Sequence, residues 1–483
     1  MQIQAVQRIL GLLLSLFSLT MLPPIFVSWW YRDGAAQPFL VALGIILGVG
    51  LLLWLPVRTH KRELRIRDGF TVVMLFWVGL SLSAATPMLL LQVPELSIAD
   101  AVFEAVSALT TTGATVITGI DDLPPSILFY RQFLQWMGGM GIIVLAVAIL
   151  PVLGIGGMQL YRAETPGPMK DTKLTPRITE TAKALWYIYL SLTVACATAY
   201  WLAGMSLFDA VAHSFSTVAI GGFSTHDLSI GYFNNPLVEL TAMVFMFLAG
   251  INFALHFVVW RARSGRAYLG DAELKAYTCF ILFISAVTSG YLYLTGTFPT
   301  AFESIRNGVF QTISFSTTTG FTTAGYNTWP SFLPVLLIIA SFVGGCAGST
   351  GGGLKVIRVV LLFKQSRREI VRLIHPSAHV SIKVSGSVLP PRVMDAVWGF
   401  FAAYIITYAI IMLLLMATGL DQITAYSAVA ACLNNLGPGL GDVSSHYGDI
   451  NAVAKWILCV AMLLGRLEIF TLLVILSPTF WRT

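Results

Sequence analysis

The chain has 483 residues, of which 56% are hydrophobic and 11% charged, and its mean hydropathy is +0.79. A soluble surface is about 25–35% charged, so a secreted enzyme, a cytosolic domain and a free nucleic-acid binder are all excluded as readings of the whole chain. The net charge of +6 leaves an anionic partner open until the charges are placed.

Apolar stretches of about 20 residues mark membrane-crossing helices. Ten are predicted in chain order: Ile9–Trp29, Phe39–Val57, Phe70–Leu91, Phe129–Leu150, Ala184–Leu207, Leu237–Trp260, Tyr277–Leu294, Leu333–Phe363, Val397–Thr418 and Val453–Leu476. No A-x-A-like cleavage site ends the first, and Pro23, Pro24, Trp29 and Trp30 fit a retained helix with an interfacial aromatic end. The fold class is an all-α polytopic membrane protein.

The basic residues fix its orientation. They cluster after the second helix (Arg58, Lys61, Arg62, Arg65, Arg67), the fourth (Arg162, Lys170, Lys173, Arg177, Lys183), the sixth (Arg261, Arg263, Arg266, Lys275) and around the end of the eighth (Lys355, Arg358, Lys364, Arg367, Arg368, Arg372, Lys383, Arg392). If the helices alternate, these lie with Arg8 and Arg482 on one side, leaving Arg32, Arg131, Arg306, Lys455 and Arg466. Positive-inside logic puts that side and both termini in the cytoplasm. The +6 is then a topology signal, and no nucleic-acid partner is expected. Acids such as Glu104, Asp121, Asp209 and Glu239 fall on the outer side, either as a solvated surface or as a field that concentrates cations. Arg131 and Lys455, at outer helix ends, read as interfacial snorkelers. The five cysteines read as buried small hydrophobes. No catalytic machinery is visible.

Four outer connections carry one pattern. Asp100–Gly113, Asp209–Gly222, Asn307–Gly320 and Thr424–Gly437 align without gaps. The unit is helix, short amphipathic helix, glycine-containing extended turn, helix. The short helix, about nine to ten residues, cannot span a membrane and must re-enter it from outside. Irregular backbone at membrane depth is tolerated only where it lines water or is buried in protein. Four helix–re-entrant pore loop–helix repeats therefore suggest a pseudo-fourfold arrangement, preceded by two extra N-terminal helices. Each pattern ends on a glycine: Thr110-Thr111-Thr112-Gly113, Ala219-Ile220-Gly221-Gly222, Thr317-Thr318-Thr319-Gly320 and Asn434-Asn435-Leu436-Gly437. Glycine takes φ > 0, which lets successive carbonyls point one way. Four strands of inward carbonyls can replace the hydration shell of a monovalent cation, and the negative end of each short helix favours one. Threonine hydroxyls in the first and third repeats can add ligands. The plainer alternative is four ordinary glycine turns.

These motifs, over nearly the whole chain, resemble the bacterial potassium uptake transporters of the Trk/Ktr/HKT superfamily, and specifically their TrkH/TrkG-type membrane subunits. The resemblance implies a filter whose key glycines are Gly113, Gly222, Gly320 and Gly437. It implies K+-contacting backbone at Thr111 and Thr112, Ile220 and Gly221, Thr318 and Thr319, and Asn435 and Leu436. The fourth strand, Asn-Asn-Leu-Gly-Pro, departs most. The absence of a full T-V-G-Y-G implies loose discrimination between potassium, rubidium and sodium. The chain would divide into residues 1–68 (the extra helices) and four repeats, 69–180, 181–270, 271–393 and 394–483.

The eighth span is too long and contains Gly344, Gly345, Cys346, Ala347, Gly348, Ser349, Thr350, Gly351, Gly352 and Gly353. Each glycine costs about 1 kcal/mol in a helix against alanine, so this run is not helical. A P-loop is excluded because Leu354 stands where lysine is needed. Close helix packing is one reading; a mobile intramembrane loop under the filter is the other, and the resemblance implies that this loop gates the pore. Arg466 is ionisable at membrane depth, a functional hypothesis by default. Glu468, two residues on, faces elsewhere on a helix. Arg466 is expected to face the axis and oppose cation passage; the alternative is a structural arginine on helix-end carbonyls.

No nucleotide-binding fingerprint is encoded, so no cofactor is expected on this chain. The resemblance implies a cytosolic TrkA-like regulatory subunit of the RCK type, carrying NAD(H) and ATP or ADP. It also implies a homodimer in the bacterial inner membrane. The basic segment 364–393 also suits anionic lipid headgroups. The implied activity is inward K+ translocation. Alternatives are K+/H+ or K+/Na+ symport, with Glu468 the lone candidate carboxylate, and, more remotely, a polytopic membrane enzyme.

Overall fold

The computed structural model describes residues 2–59, 66–141, 178–378, 380–384 and 387–481. The expected second half of the fourth span lies outside them, with Lys61, Arg62, Arg65, Arg162, Lys170, Lys173, Arg177 and Arg482. Among the described residues the chain is helical apart from a two-stranded ribbon, Lys383–Val384 paired with Ser387–Val388.

Two helices, α1 (Ile3–Tyr31) and α2 (Ala36–Val57), precede four similar units. The first unit holds α3 (Ile66–Leu89), α4 (Ile98–Leu109) and α5 (Pro125–Trp136). The second holds α6 (Ile178–Leu202), α7 (Leu207–Val218), α8 (Pro236–Ala249) and α9 (Phe253–Ala262). The third holds α10 (Ala272–Leu294), α11 (Ala301–Thr317), α12 (Phe332–Val343) and α13 (Val356–Ile374). The fourth holds α14 (Pro391–Ala417), α15 (Gln422–Leu433), α16 (Ala452–Arg466) and α17 (Glu468–Leu476). Six of these helices, α1, α2, α3, α6, α10 and α14, contain a stretch long and apolar enough to cross a membrane unbroken.

The first helix of each unit is continuous, and the last is interrupted. Helix α5 runs into a π turn at Met137–Gly141. Helices α8 and α9 meet at 93°, which corrects the continuous sixth span Leu237–Trp260. The break falls at Gly250–Asn252, where the Asn252 side chain accepts from the Ala254 N–H at 2.8 Å and starts a new helix. Helices α12 and α13 are separated by the glycine run. The tenth span is also broken, with Leu467 between α16 and α17 and Glu468 at φ 53°.

The short helices α4, α7 and α15 have 12 residues and α11 has 17, longer than expected. Each starts on a side-chain cap. Ser97 accepts from the Asp100 N–H, Ser206 from Asp209, Thr300 from Glu303, and Asp421 from Ile423 and Thr424. Such a cap contributes about 1 kcal/mol. Small residues let these helices sit inside the protein: Ala101, Ala105 and Ala108 of α4 and Ala425, Ala428 and Ala431 of α15 are fully buried.

Candidate functional site

The four short helices end alike. Thr111 (φ 55°), Ile220 (54°), Thr318 (68°) and Asn435 (55°) all take the left-handed conformation, two residues before their glycine. The next N–H returns to the carbonyl five residues back: Thr112 to Ser107, Gly221 to Ser216 and Thr319 to Ser314 at 2.8 Å, and Leu436 to Ala431 at 2.7 Å. This is a Schellman-type cap built on residues other than glycine. A β-branched residue such as Ile220 is a genuine outlier there, and holding it costs on the order of 1–3 kcal/mol.

The glycines follow at φ 80°, 78°, 84° and 97° for Gly113, Gly222, Gly320 and Gly437. A Cβ on Gly113 would overlap the carbonyl oxygen of Gly221, one on Gly222 that of Thr319, and one on Gly320 that of Leu436. On Gly437 it would come within 2.6 Å of the Thr112 oxygen. The contacts run from the first repeat to the second, third and fourth and back to the first. A closed cycle of this kind sets the four strands round one axis, and glycine is required at each step.

The divergent fourth strand shares this backbone. Its side chains point back into the protein. Asn434 Nδ2 donates to Ser341 Oγ at 2.9 Å and Asn435 Nδ2 to the Met462 carbonyl at 3.0 Å. The threonine hydroxyls are hydrogen-bonded too. Thr110 and Thr112 share a hydrogen bond, as do Thr317 and Thr319, each at 2.7 Å. Thr318 Oγ1 accepts from the Gly352 N–H at 2.7 Å, and Thr111 Oγ1 from Arg466 at 3.3 Å.

The glycine run lies against the base of the ring. Thr350 Oγ1 donates to the Val218 carbonyl at 3.0 Å, and the Gly353 N–H to the Asn434 carbonyl at 3.2 Å. A Cβ on Gly351 would sit 2.9 Å from the Thr317 oxygen. The loop thus meets strands two, three and four, while Arg466 meets strand one. Arg466 also donates to the carbonyls of Thr350 (3.2 Å), Gly139 (2.5 Å) and Gly138. Cys346, Ala347 and Gly348 turn away from the ring: their backbones meet Gly250, Glu273 and Phe253. Glu273, which sequence reading passed over, accepts from the N–H groups of Ala347 (2.7 Å) and Ile357 (3.2 Å), on both flanks of the run. Glu468 pairs with Arg358 at 2.7 Å.

Three sequence expectations about charges assigned to the outer face are corrected. Arg131 is not a snorkeler: it is fully buried, paired to Glu104 at 2.8 Å. Glu104 is therefore not solvated, nor is Glu239, which holds Arg306 bidentately at 2.6 and 2.7 Å. Lys455 is buried and bridges Asp100 (2.6 Å) and the Gly448 carbonyl (2.8 Å), tying α16 to α4. Four cysteines are buried as expected; Cys279 is exposed.

A second repeat signal, in the first three units, is the residue nine before the glycine; the fourth unit has Ala428 there. Glu104 accepts from the Val116 N–H at 2.9 Å, His213 Nε2 meets Ser224 Oγ at 2.9 Å, and Gln311 donates to the Phe321 carbonyl at 3.5 Å. Each ties the outgoing strand to its own short helix. In the loop after strand two, His226 Nδ1 lies 2.5 Å from Asp121 and its Nε2 3.6 Å from Asp209. Burial alone would push His226 down, but hydrogen bonds and charge from Asp209 and Asp121 hold its pKa above the ordinary 6.5.

The family of cation transport proteins described as TrkH matches residues 36–482. The Trk system potassium uptake protein TrkH of Vibrio parahaemolyticus is 59% identical over 486 residues, covering 100% of both chains. That of Escherichia coli K12 is 53% identical over 482 residues, again with 100% of both covered, and the TrkG protein of that strain is 43% identical over 481 residues, covering 100% of this chain and 99% of its own. The crystal structure of the potassium transporter TrkH from Vibrio parahaemolyticus superimposes with a TM-score of 0.91 at 56% identity, covering 100% of each chain.

Proposed function

The chain belongs to the TrkH family of cation transport proteins, and from that premise we propose that it takes up potassium through the ring of glycine strands. It is a multi-span membrane protein of a transporter family, not an enzyme. The observation that carries the pore reading is the closed cycle of contacts among Gly113, Gly222, Gly320 and Gly437. Four converging strands present carbonyl oxygens where a dehydrated monovalent cation needs them. In this reading Thr111, Thr112, Ile220, Gly221, Thr318, Thr319, Asn435 and Leu436 line the filter with the glycines, in repeats spanning residues 69–180, 181–270, 271–393 and 394–483.

The loop 344–353 and Arg466 form the gate. Their hydrogen bonds to all four strand bases support that role. A fixed positive charge beneath the ring opposes cation entry into a low-dielectric path. Coupled symport through Glu468, the carboxylate that the sequence offers for a proton relay, has less support because Glu468 is held as a counter-ion to Arg358. The basic cytosolic segments suit a TrkA-like RCK subunit that brings the nucleotide site this sequence lacks. A homodimer in the inner membrane with cytoplasmic termini completes the reading.

The test is uptake of rubidium, as a potassium substitute, into liposomes holding the purified chain. Potential-driven uptake that potassium competes for is expected. No uptake, with and without the regulatory subunit, overturns the reading.

A further inference from the structure

Helix α5 lays three fully buried polar side chains along the strand that leaves the second short helix. Arg131 reaches the Ser224 carbonyl at 3.5 Å and Gln132 Nε2 the Phe223 carbonyl at 3.1 Å. Gln135 Nε2 donates to the Gly221 carbonyl at 2.6 Å, and Gln135 Oε1 accepts from the Phe223 N–H at 3.1 Å. Polar side chains at membrane depth are costly and mark function by default. The Gly221 oxygen is the one that lies against Gly113 in the ring. Among the described residues, no hydrogen-bond donor reaches the equivalent carbonyls of Thr112, Thr319 or Leu436.

Strand two needs such a partner more than the others. At the position before the key glycine, strands one, three and four carry Thr112, Thr319 and Leu436, whose side chains anchor the backbone from behind. Strand two carries Gly221, directly followed by Gly222. Two adjacent glycines leave that backbone the widest choice of conformations. Gln135 takes the vacant space: a Cβ on Gly221 would sit 2.5 Å from Gln135 Cδ. Its carboxamide then binds the peptide groups on either side of Gly222, as a neighbouring backbone would.

We propose that Gln135 is a selectivity-determining positioning residue, which fixes the second filter strand so that its Gly221 oxygen stays in register with the other three. The proposal rests on the ring being a cation filter. It assigns to repeat one a duty in the filter strand of repeat two.

Gln135→Met keeps the volume and removes both hydrogen bonds. Two readouts apply to the purified full chain: the K+/Na+ permeability ratio from reversal potentials in liposomes, and the excess thermal stabilisation by K+ over Na+. The variant should still conduct, with its ratio lowered at least roughly threefold, the lower end of what a single lost neutral hydrogen bond converts to. It should also lose the K+-specific stabilisation. Should Gln135→Met fail to fold, Gln135→Asn keeps a carboxamide too short by one methylene to reach both partners, and the same losses are expected. If the unaltered chain shows no K+ preference in either assay, the filter reading fails and this proposal with it. If the unaltered chain prefers K+ and the variants keep that preference, the role of Gln135 alone is overturned. A raised ratio also overturns it, because the carboxamide would then be weakening the Gly221 oxygen instead of positioning it.

Discussion

Alanine at Gly320 separates two effects that a glycine of the ring combines. The first is backbone strain: Gly320 sits at φ 84°, and an L-residue there costs roughly 1–2 kcal/mol. The second is collision. The new methyl would overlap the Leu436 carbonyl oxygen and lie 2.7 Å from Pro438 Cδ. Restoring ordinary van der Waals contact requires the Leu436 oxygen to retreat by on the order of 1 Å, which opens the ring on one side. Gly296 is the control. It has φ 64° with nothing within 4 Å of its Cβ position, so Gly296→Ala carries strain without collision. Both variants should lose stability in thermal unfolding, Gly320→Ala the more. Only Gly320→Ala should lower the K+/Na+ permeability ratio, by about tenfold or more, since a retreat of that size exceeds the difference between the two ions' coordination distances. A folded Gly320→Ala protein with unchanged discrimination would refute the assignment of the ring as the selecting element.

Three further outcomes follow. Arg466→Gln removes the charge beneath the ring along with contacts to Thr111, Thr350, Gly138 and Gly139; basal rubidium flux should rise several-fold, and an unchanged flux would remove Arg466 from the gate. Glu104→Gln leaves Arg131 charged and buried without its carboxylate, a loss of about 3–5 kcal/mol. The double variant Glu104→Gln, Arg131→Met should regain much of it in a thermal-unfolding cycle, and additive losses would show that the pair is not coupled. The raised pKa of His226 makes its bridge to Asp121 and Asp209 fully stabilising below pH 6.5, a contribution lost as pH rises through the raised pKa. Unfolding temperature should therefore fall as pH rises from 6.5 through the raised pKa, and His226→Gln should flatten that slope; an identical slope in the variant would exclude His226 as its source.

How much of this was legible in the sequence depended on the kind of signal. The four glycines stand out because their requirement is local: a positive φ and a neighbouring backbone leave no room for a side chain. The left-handed residues before them do not stand out. Ile220 and the threonines argue by propensity against the conformation they adopt, and the surrounding protein overrides it. The bend after Ala249 was invisible because hydropathy records depth and not direction. The Glu104–Arg131 pair was missed because its partners belong to different helices, and each alone looks like an outer-face charge. Gln135 left no periodic trace, although a polar residue within a predicted span was a cue in its own right.

The central claim is passive passage of potassium through a filter, and the most direct measurement is the driving force for flux. Liposomes containing only the purified chain can be given a membrane potential, a pH gradient, or both. The account predicts rubidium uptake driven by the potential alone, scaling with it and indifferent to the pH gradient. Uptake that strictly requires a proton gradient would contradict it.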